Sequence, residues 1–126
     1  MEILTEDQCL ALLTAEQIGR LGVSVGALPA IFPVNYRMVG GDIVFRTGDG
    51  LKRRAAIDGN VVGFEVDHID PATSTGWSVL AVGVAKEIID DDIDVSPVRS
   101  WAAGERDHVI RIHPELLSGR RILPAP

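Results

Sequence analysis

Trp77-Ser78-Val79-Leu80-Ala81-Val82-Gly83-Val84-Ala85-Lys86-Glu87-Ile88-Ile89 is the longest extended run in the chain, and its alternation decides the architecture. With a period of two, Trp77, Val79, Ala81, Gly83 and Ala85 fall on one side and Leu80, Val82, Val84 and Ile88 on the other. Neither face is polar. A strand of a small barrel needs one apolar face for its own core, so the second face must meet something else. The expected occupant is a partner subunit; the alternative is a helix of the same chain.

Working upstream, Val61 to Asp67 reads as a strand with Val62, Phe64 and Val66 on one face, entered from the turn Asp58-Gly59-Asn60 and left through a polar loop, His68 to Thr75. Ile18 to Val25 alternates as a first strand. Ala30 to Met38 is a second, although Pro33 cannot donate to a ladder and so implies an edge, a bulge or the approach of something other than a strand. Gly40-Gly41 turns the chain into a third strand, Asp42 to Arg46. Before all of these, Thr5 and Gln8 form a capping-box pattern, and Cys9, Leu10, Leu12 and Leu13 follow at helical spacing, so a short helix is expected over one end of the core.

Downstream, Asp90, Asp91, Asp92 and Asp94 lack the spacing and glycine of a calcium loop and read as a solvated turn. Ser96-Pro97 opens a short helix through Trp101. His108 to His113 alternates as a late strand, and Ser118-Gly119 is expected to turn the chain into a final strand around Arg121-Ile122-Leu123. The sum is one mainly β domain over residues 1–126: a small antiparallel barrel of six to seven strands with a few short helices.

One segment reverses the charge of its surroundings. The formal net charge is -6, yet Arg46, Lys52, Arg53 and Arg54 cluster in Phe45-Arg46-Thr47-Gly48-Asp49-Gly50-Leu51-Lys52-Arg53-Arg54. Read as a strand end, a glycine turn and a helix start from Leu51 to Ile57, this geometry suits a phosphate group. The alternative is a solvated basic turn.

The rest of the composition narrows the classes. A pI near 4.9 with a single local basic patch excludes general nucleic-acid binding. No basic region leads into an apolar run at the N-terminus, and no stretch approaches a membrane span, so a cytoplasmic protein with no membrane partner is expected. Cys9 alone allows neither an intrachain disulfide nor a multi-cysteine zinc site, and it reads as a small buried hydrophobe. His68, His108 and His113 are scattered, no acid-base pair stands out, and no Ser/His/Asp signature is present. No catalytic residue and no metal ligand is assigned.

Three segments in register resemble the FMN-binding split-barrel family that contains pyridoxamine 5'-phosphate oxidase, most of all its branch of nitroimidazole-resistance nitroreductases. They are Pro29-Ala30-Ile31-Phe32-Pro33-Val34-Asn35-Tyr36, Ile43-Val44-Phe45-Arg46-Thr47 through Gly50-Leu51-Lys52-Arg53, and Gly76-Trp77-Ser78-Val79-Leu80-Ala81-Val82-Gly83-Val84-Ala85. The likeness covers about Ile18 to Ile89, with a weaker echo in Val109 to Ile122. It implies a split β-barrel and a homodimer with two FMN sites at the subunit interface.

Carried over by residue, the resemblance lays Phe32, Pro33, Val34, Asn35 and Tyr36 along the isoalloxazine ring, mostly through backbone atoms. It gathers Arg46, Thr47, Gly50, Leu51, Lys52 and Arg53 around the ribityl phosphate, where arginine offers a planar fork and threonine a hydroxyl. Trp77 and Ser78 are expected to come from the other subunit. For Tyr36 and Trp77 the alternative is packing at the barrel mouth. Leu51 departs from the pattern, standing where a small hydroxyl residue is often found. The substrate-binding C-terminal extension of true pyridoxamine-phosphate oxidases is absent, so vitamin oxidation is not expected. The implied activity is transfer of reducing equivalents from NAD(P)H through FMN to a small organic molecule. Alternatives are a deazaflavin coenzyme in the same fold, or a non-catalytic flavin or haem carrier or sensor.

Overall fold

The computed structural model describes residues 1–47, 57–88 and 108–124. The helical turns expected from Leu51, the acidic turn at Asp90 and the helix from Ser96 lie outside the described residues, as does Ile89.

Among the described residues, eight strands and one helix follow in the order β1 (Glu2–Ile3), α1 (Glu6–Ala15), β2 (Ile18–Val25), β3 (Leu28–Val39), β4 (Asp42–Thr47), β5 (Val61–Asp70), β6 (Thr75–Ile88), β7 (His108–Ile112) and β8 (Leu116–Ile122). The sheet runs β1-β8-β6-β5-β2-β3-β4-β7, and β7 pairs back onto β6, closing six antiparallel strands into a barrel. On one side β6 pairs with β5 from Thr75 to Val84. On the other it serves two strands in turn, β8 from Gly76 to Val82 and β7 from Ala85 to Ile88. This is the split. Gly83 sits where the partner changes, and a Cβ there would run into the His113 carbonyl, so only glycine lets the β7–β8 connection cross so closely.

The inner face follows the expected alternation. Val79, Ala81 and Ala85 of β6, Val62, Phe64 and Val66 of β5, Leu21 and Val23 of β2, and Ile110 and Ile112 of β7 are buried. Phe64 meets Tyr36 edge-on, with ring centroids 4.9 Å apart and planes at 75°. The helix plugs one end. Thr5 caps it, its hydroxyl accepting from the Gln8 amide while the Gln8 side chain accepts from the Thr5 amide. Cys9 and Leu13 are fully buried. Burial, aided by Glu6, pushes the Cys9 thiol pKa up, in keeping with an inert packing role.

Two expectations change. Ser118-Gly119 is not a turn: β8 runs straight through it, pairing Ser118 with Leu80 and Gly119 with Val79. A Cβ at Gly119 would lie 2.6 Å from the Cys9 sulfur and 3.0 Å from Leu4, so the glycine is there for helix-on-strand packing. The loop after Asp67 is also shorter than expected, because β5 and β6 continue their ladder to the Asp70–Thr75 pair. In addition, β1 pairs with β8 and carries the Arg121–Glu2 contact at 3.1 Å, an element too short to leave a periodic signal.

Among the described residues, no helix is long and apolar enough to cross a membrane.

Candidate functional site

Strand β3 has two halves. Its first part, Leu28 to Asn35, pairs with β2, from Val25–Leu28 to Ile18–Asn35, and its ladder with β4 begins only at Tyr36–Phe45 and runs to Val39–Asp42. From Leu28 to Asn35 its second edge has no strand partner among the described residues, while β4 continues through Arg46 and Thr47 with β7 as its ladder partner. The two strands therefore diverge into a fork whose apex is the Tyr36–Phe45 pair. Pro33 lies on the half without a β4 ladder, opposite Arg20 in the β2 ladder. That is one of the three places a proline could be accommodated, and the missing N–H costs no β4 pairing.

The alternation of β3 divides the expected ring-contacting residues. Val34 and Tyr36 are buried, and Phe32 packs against the core. Pro33 and Asn35 alternate with them and fall on the outer face. The Tyr36 hydroxyl donates to the Leu13 carbonyl at 2.5 Å, and burial, with Glu16 as a second cause, raises its pKa. Its side chain is thus core packing, and the backbone is what this position offers a ligand.

One step past the apex, Arg46 lies on the outer face of β4, the same face as Asn35. Its Nε is buried without a hydrogen bond of its own, although the residue interacts elsewhere. Thr47 is buried at the strand end, opposite His108 in the β4–β7 ladder. Gly50, Leu51, Lys52 and Arg53 lie outside the described residues. Trp77 and Ser78 are not brought to the fork within one chain. They sit on β6 between His68 and Asp67 of β5 and Arg121 and Arg120 of β8, and two strands, β5 and β2, separate β6 from β3.

Sequence reasoning missed three polar groupings that the topology assembles. His108 Nδ1 lies 2.6 Å from Glu87 Oε1, with both side chains largely buried beside Thr47. The buried Asp42 holds both the Arg111 guanidinium and His113 Nδ1, the latter at 2.6 Å, tying β4 to the end of β7. On the opposite wall, Arg20 Nη1 reaches Glu65 at 3.0 Å and Asp67 at 2.9 Å. Two acids share one base here. Desolvation first, then the Asp67 carboxylate, push the Glu65 pKa up to about 7, outweighing the nearby guanidinium. Each grouping joins residues 21 to 71 positions apart, so only the strand register could have revealed them. No group of three or more His, Cys, Asp or Glu fit to hold a metal occurs among the described residues.

Residues 5–121 match the family described as pyridoxamine 5'-phosphate oxidase. An uncharacterized protein of Mycobacterium tuberculosis is 37% identical over 128 residues, covering 95% of this chain and 84% of its own length. The structure of the FAD binding protein from Mycobacterium smegmatis is 32% identical with a TM-score of 0.83, over 98% of this chain and 100% of that one. A proposed 5-nitroimidazole antibiotic resistance protein from Bacteroides thetaiotaomicron is similar in fold, with a TM-score of 0.70 at 12% identity, over 95% of this chain and 87% of that one. The closed barrel with its shared sixth strand, the register of the three decisive segments and a family match spanning nearly the whole chain lead to one conclusion: this chain belongs to the pyridoxamine 5'-phosphate oxidase-like split-barrel family.

Proposed function

We propose that the chain binds a flavin, FMN in the first instance, in the fork between β3 and β4, and passes reducing equivalents from a nicotinamide donor to a small organic acceptor. The observation that carries the flavin part is the likeness, at about one-third identity along the full length, to the Mycobacterium smegmatis FAD binding protein. The fork fits such a group. The stretch of β3 before Tyr36, which has no β4 pairing among the described residues, places the backbone of Val34 and Asn35 where it could meet the polar edge of a flavin ring. Arg46 supplies a cation for the phosphate and Thr47 a hydroxyl, with Lys52 and Arg53 following in sequence.

Bound flavin supplies the hydride and electron transfer. The protein's share is to position the ring against β3, hold the phosphate with Arg46 and exclude water from the ring face. The same likeness favours a second reading, FAD in place of FMN, with the phosphate contact unchanged.

A homodimer belongs to this proposal. Leu80 is 44% exposed on the outer face of β6, beside half-buried Val82 and Val84, and Trp77 and Ser78 reach a fork only if it is that of another subunit. Val82→Glu or Val84→Glu is expected to split the dimer. Mixing the flavin-loaded protein anaerobically with NADH or NADPH tests the activity. Bleaching of the flavin absorbance, restored by an organic acceptor, supports an oxidoreductase. A flavin that stays oxidised with both donors points to a carrier or sensor instead.

A further inference from the structure

The β6–β8 ladder sets an arginine beside one of the residues on which the flavin site depends. Ser78 of β6 pairs with Arg120 of β8 on one side and with Asp67 of β5 on the other. Directly opposed residues of an antiparallel pair point to the same face, with Cβ atoms about 4.5–5.5 Å apart. The face is the outer one. Ser78 stands between core-packed Trp77 and buried Val79, and Arg120 follows Gly119, whose missing side chain makes room for Cys9. Wherever Ser78 is carried, Arg120 is carried with it.

The charges around Ser78 are unequal. Arg20 Nη1 holds Asp67 at 2.9 Å and Glu65 at 3.0 Å, so the acid next to Ser78 is already engaged from its far side. Arg111 holds Asp42, and Arg121 holds Glu2. Arg120 holds no carboxylate among the described residues: its Nη1 lies 4.0 Å from the Met1 sulfur, its other ladder neighbour, Ile3 of β1, brings no charge, and the residue is exposed. A full positive charge beside Ser78 therefore goes uncompensated, in a chain whose formal net charge is -6. The acidic surroundings repel anions while this one point attracts them, which makes it selective. A guanidinium also offers parallel N–H donors, the shape that matches the oxygen pair of a carboxylate or a phosphate.

We propose that Arg120 is the anion-recognising residue of the flavin site. Each subunit brings it, beside its own Ser78, to the flavin in the other subunit's fork, where the guanidinium takes a carboxylate or phosphate group on the molecule that exchanges electrons with the ring. On the reading above, in which Ser78 reaches the fork of another subunit and on which this rests, the ligand class follows: an electron donor or acceptor that carries an anionic group away from its reacting atoms. Arg46 keeps a separate task. It stands on β4 of the subunit that holds the flavin and meets the cofactor's own phosphate, whereas Arg120 arrives from the other chain and meets the exchanging molecule.

Flavin-loaded wild type, Arg120→Gln and Arg120→Lys, titrated with ligand pairs that differ in one anionic group, test this. The pairs are para-nitrobenzoate against para-nitrobenzamide, followed by perturbation of the oxidised flavin spectrum, and NADPH against NADH, followed by anaerobic bleaching. A carboxylate on the acceptor shows in the first pair and a phosphate on the donor in the second. For at least one pair, the wild type is expected to favour the anionic member, or the one with the extra phosphate, by about tenfold or more. Arg120→Gln should bring that ratio near one, and Arg120→Lys should keep part of it. Mixed dimers then show which chain supplies the residue. When Arg46→Ala and Arg120→Gln are co-expressed, the mixed dimer holds flavin in the fork of the Arg120→Gln subunit while the Arg46→Ala subunit supplies Arg120, so the preference is expected to return. A ratio unchanged in Arg120→Gln, a wild type indifferent within both pairs, or a loss that mixed dimers fail to restore would overturn the proposal. So would a flavin-loaded chain that stays monomeric, which leaves the flavin reading standing. A protein that takes up no flavin would overturn that reading itself.

Discussion

Gly119 of β8 lies so close beneath Cys9 of α1 that a Cβ on the glycine would sit 2.6 Å from the sulfur. The helix is thereby seated on the sheet, and its plugging of the barrel end depends on the absence of one side chain. Gly119→Ala is expected to lower stability by about 1–3 kcal/mol, the cost of overpacking a filled core. Adding Cys9→Ala to that variant should recover part of the loss, because the nearest clash is then relieved and the Leu4 contact at 3.0 Å remains. Chemical denaturation of the three proteins reads both effects.

Asp42 is the one buried carboxylate in the described barrel, and it faces Arg111 and His113 together. Asp42→Ala leaves both donors without their acceptor and unfastens β4 from the end of β7. A loss of about 1–3 kcal/mol is expected, kept below that of a fully buried pair because Arg111 is 41% exposed. Equilibrium urea unfolding checks it; an unchanged midpoint would mean that the ladder alone closes the barrel.

Glu65 gives folding stability a definite pH dependence. Its folded pKa, about 7, stands above the ordinary value of 4.5, so the folded chain binds the proton more tightly than the unfolded chain. The resulting stabilisation is complete below about 4.5 and is lost as pH rises through about 7. Glu65→Gln should flatten the slope of stability between those two values, measured by thermal melting of dilute protein. A slope identical to wild type would place the effective pKa elsewhere.

Much of the barrel is legible in the sequence because its strands alternate cleanly and its turns are punctuated by Gly26-Ala27, Gly40-Gly41 and Asp58-Gly59-Asn60. Pro33, read as an edge, a bulge or the approach of something other than a strand, falls where β3 has no β4 partner among the described residues. What escapes is what depends on long-range register. Gly119 reads as a turn because glycine signals a turn locally, and only the helix arriving from more than a hundred residues upstream explains it otherwise. His108 and His113 likewise look idle until β4, β6 and β7 bring Glu87 and Asp42 to their sides. The phosphate end of the site is legible only as composition, since Lys52 and Arg53 lie outside the described residues.

Arg46 is the described cation of the proposed phosphate site. Arg46→Ala is expected to weaken flavin affinity by roughly 1.5–3 kcal/mol, about ten- to more than a hundredfold, since it removes hydrogen bonds to a charged group. Adding Lys52→Ala should weaken it further. Riboflavin, which lacks the phosphate, should lose little between wild type and variant, and an equal loss for both ligands would relocate the phosphate.

The central claim is that this barrel binds a flavin in the fork between β3 and β4, and a fluorescence titration of the purified protein with FMN, run alongside FAD and the deazaflavin coenzyme, tests it most directly. The account predicts saturable binding of FMN or FAD at about one per subunit, micromolar or tighter. Preference for the deazaflavin would move the chain to a different cofactor within the same fold, and saturation by none of the three would contradict the account.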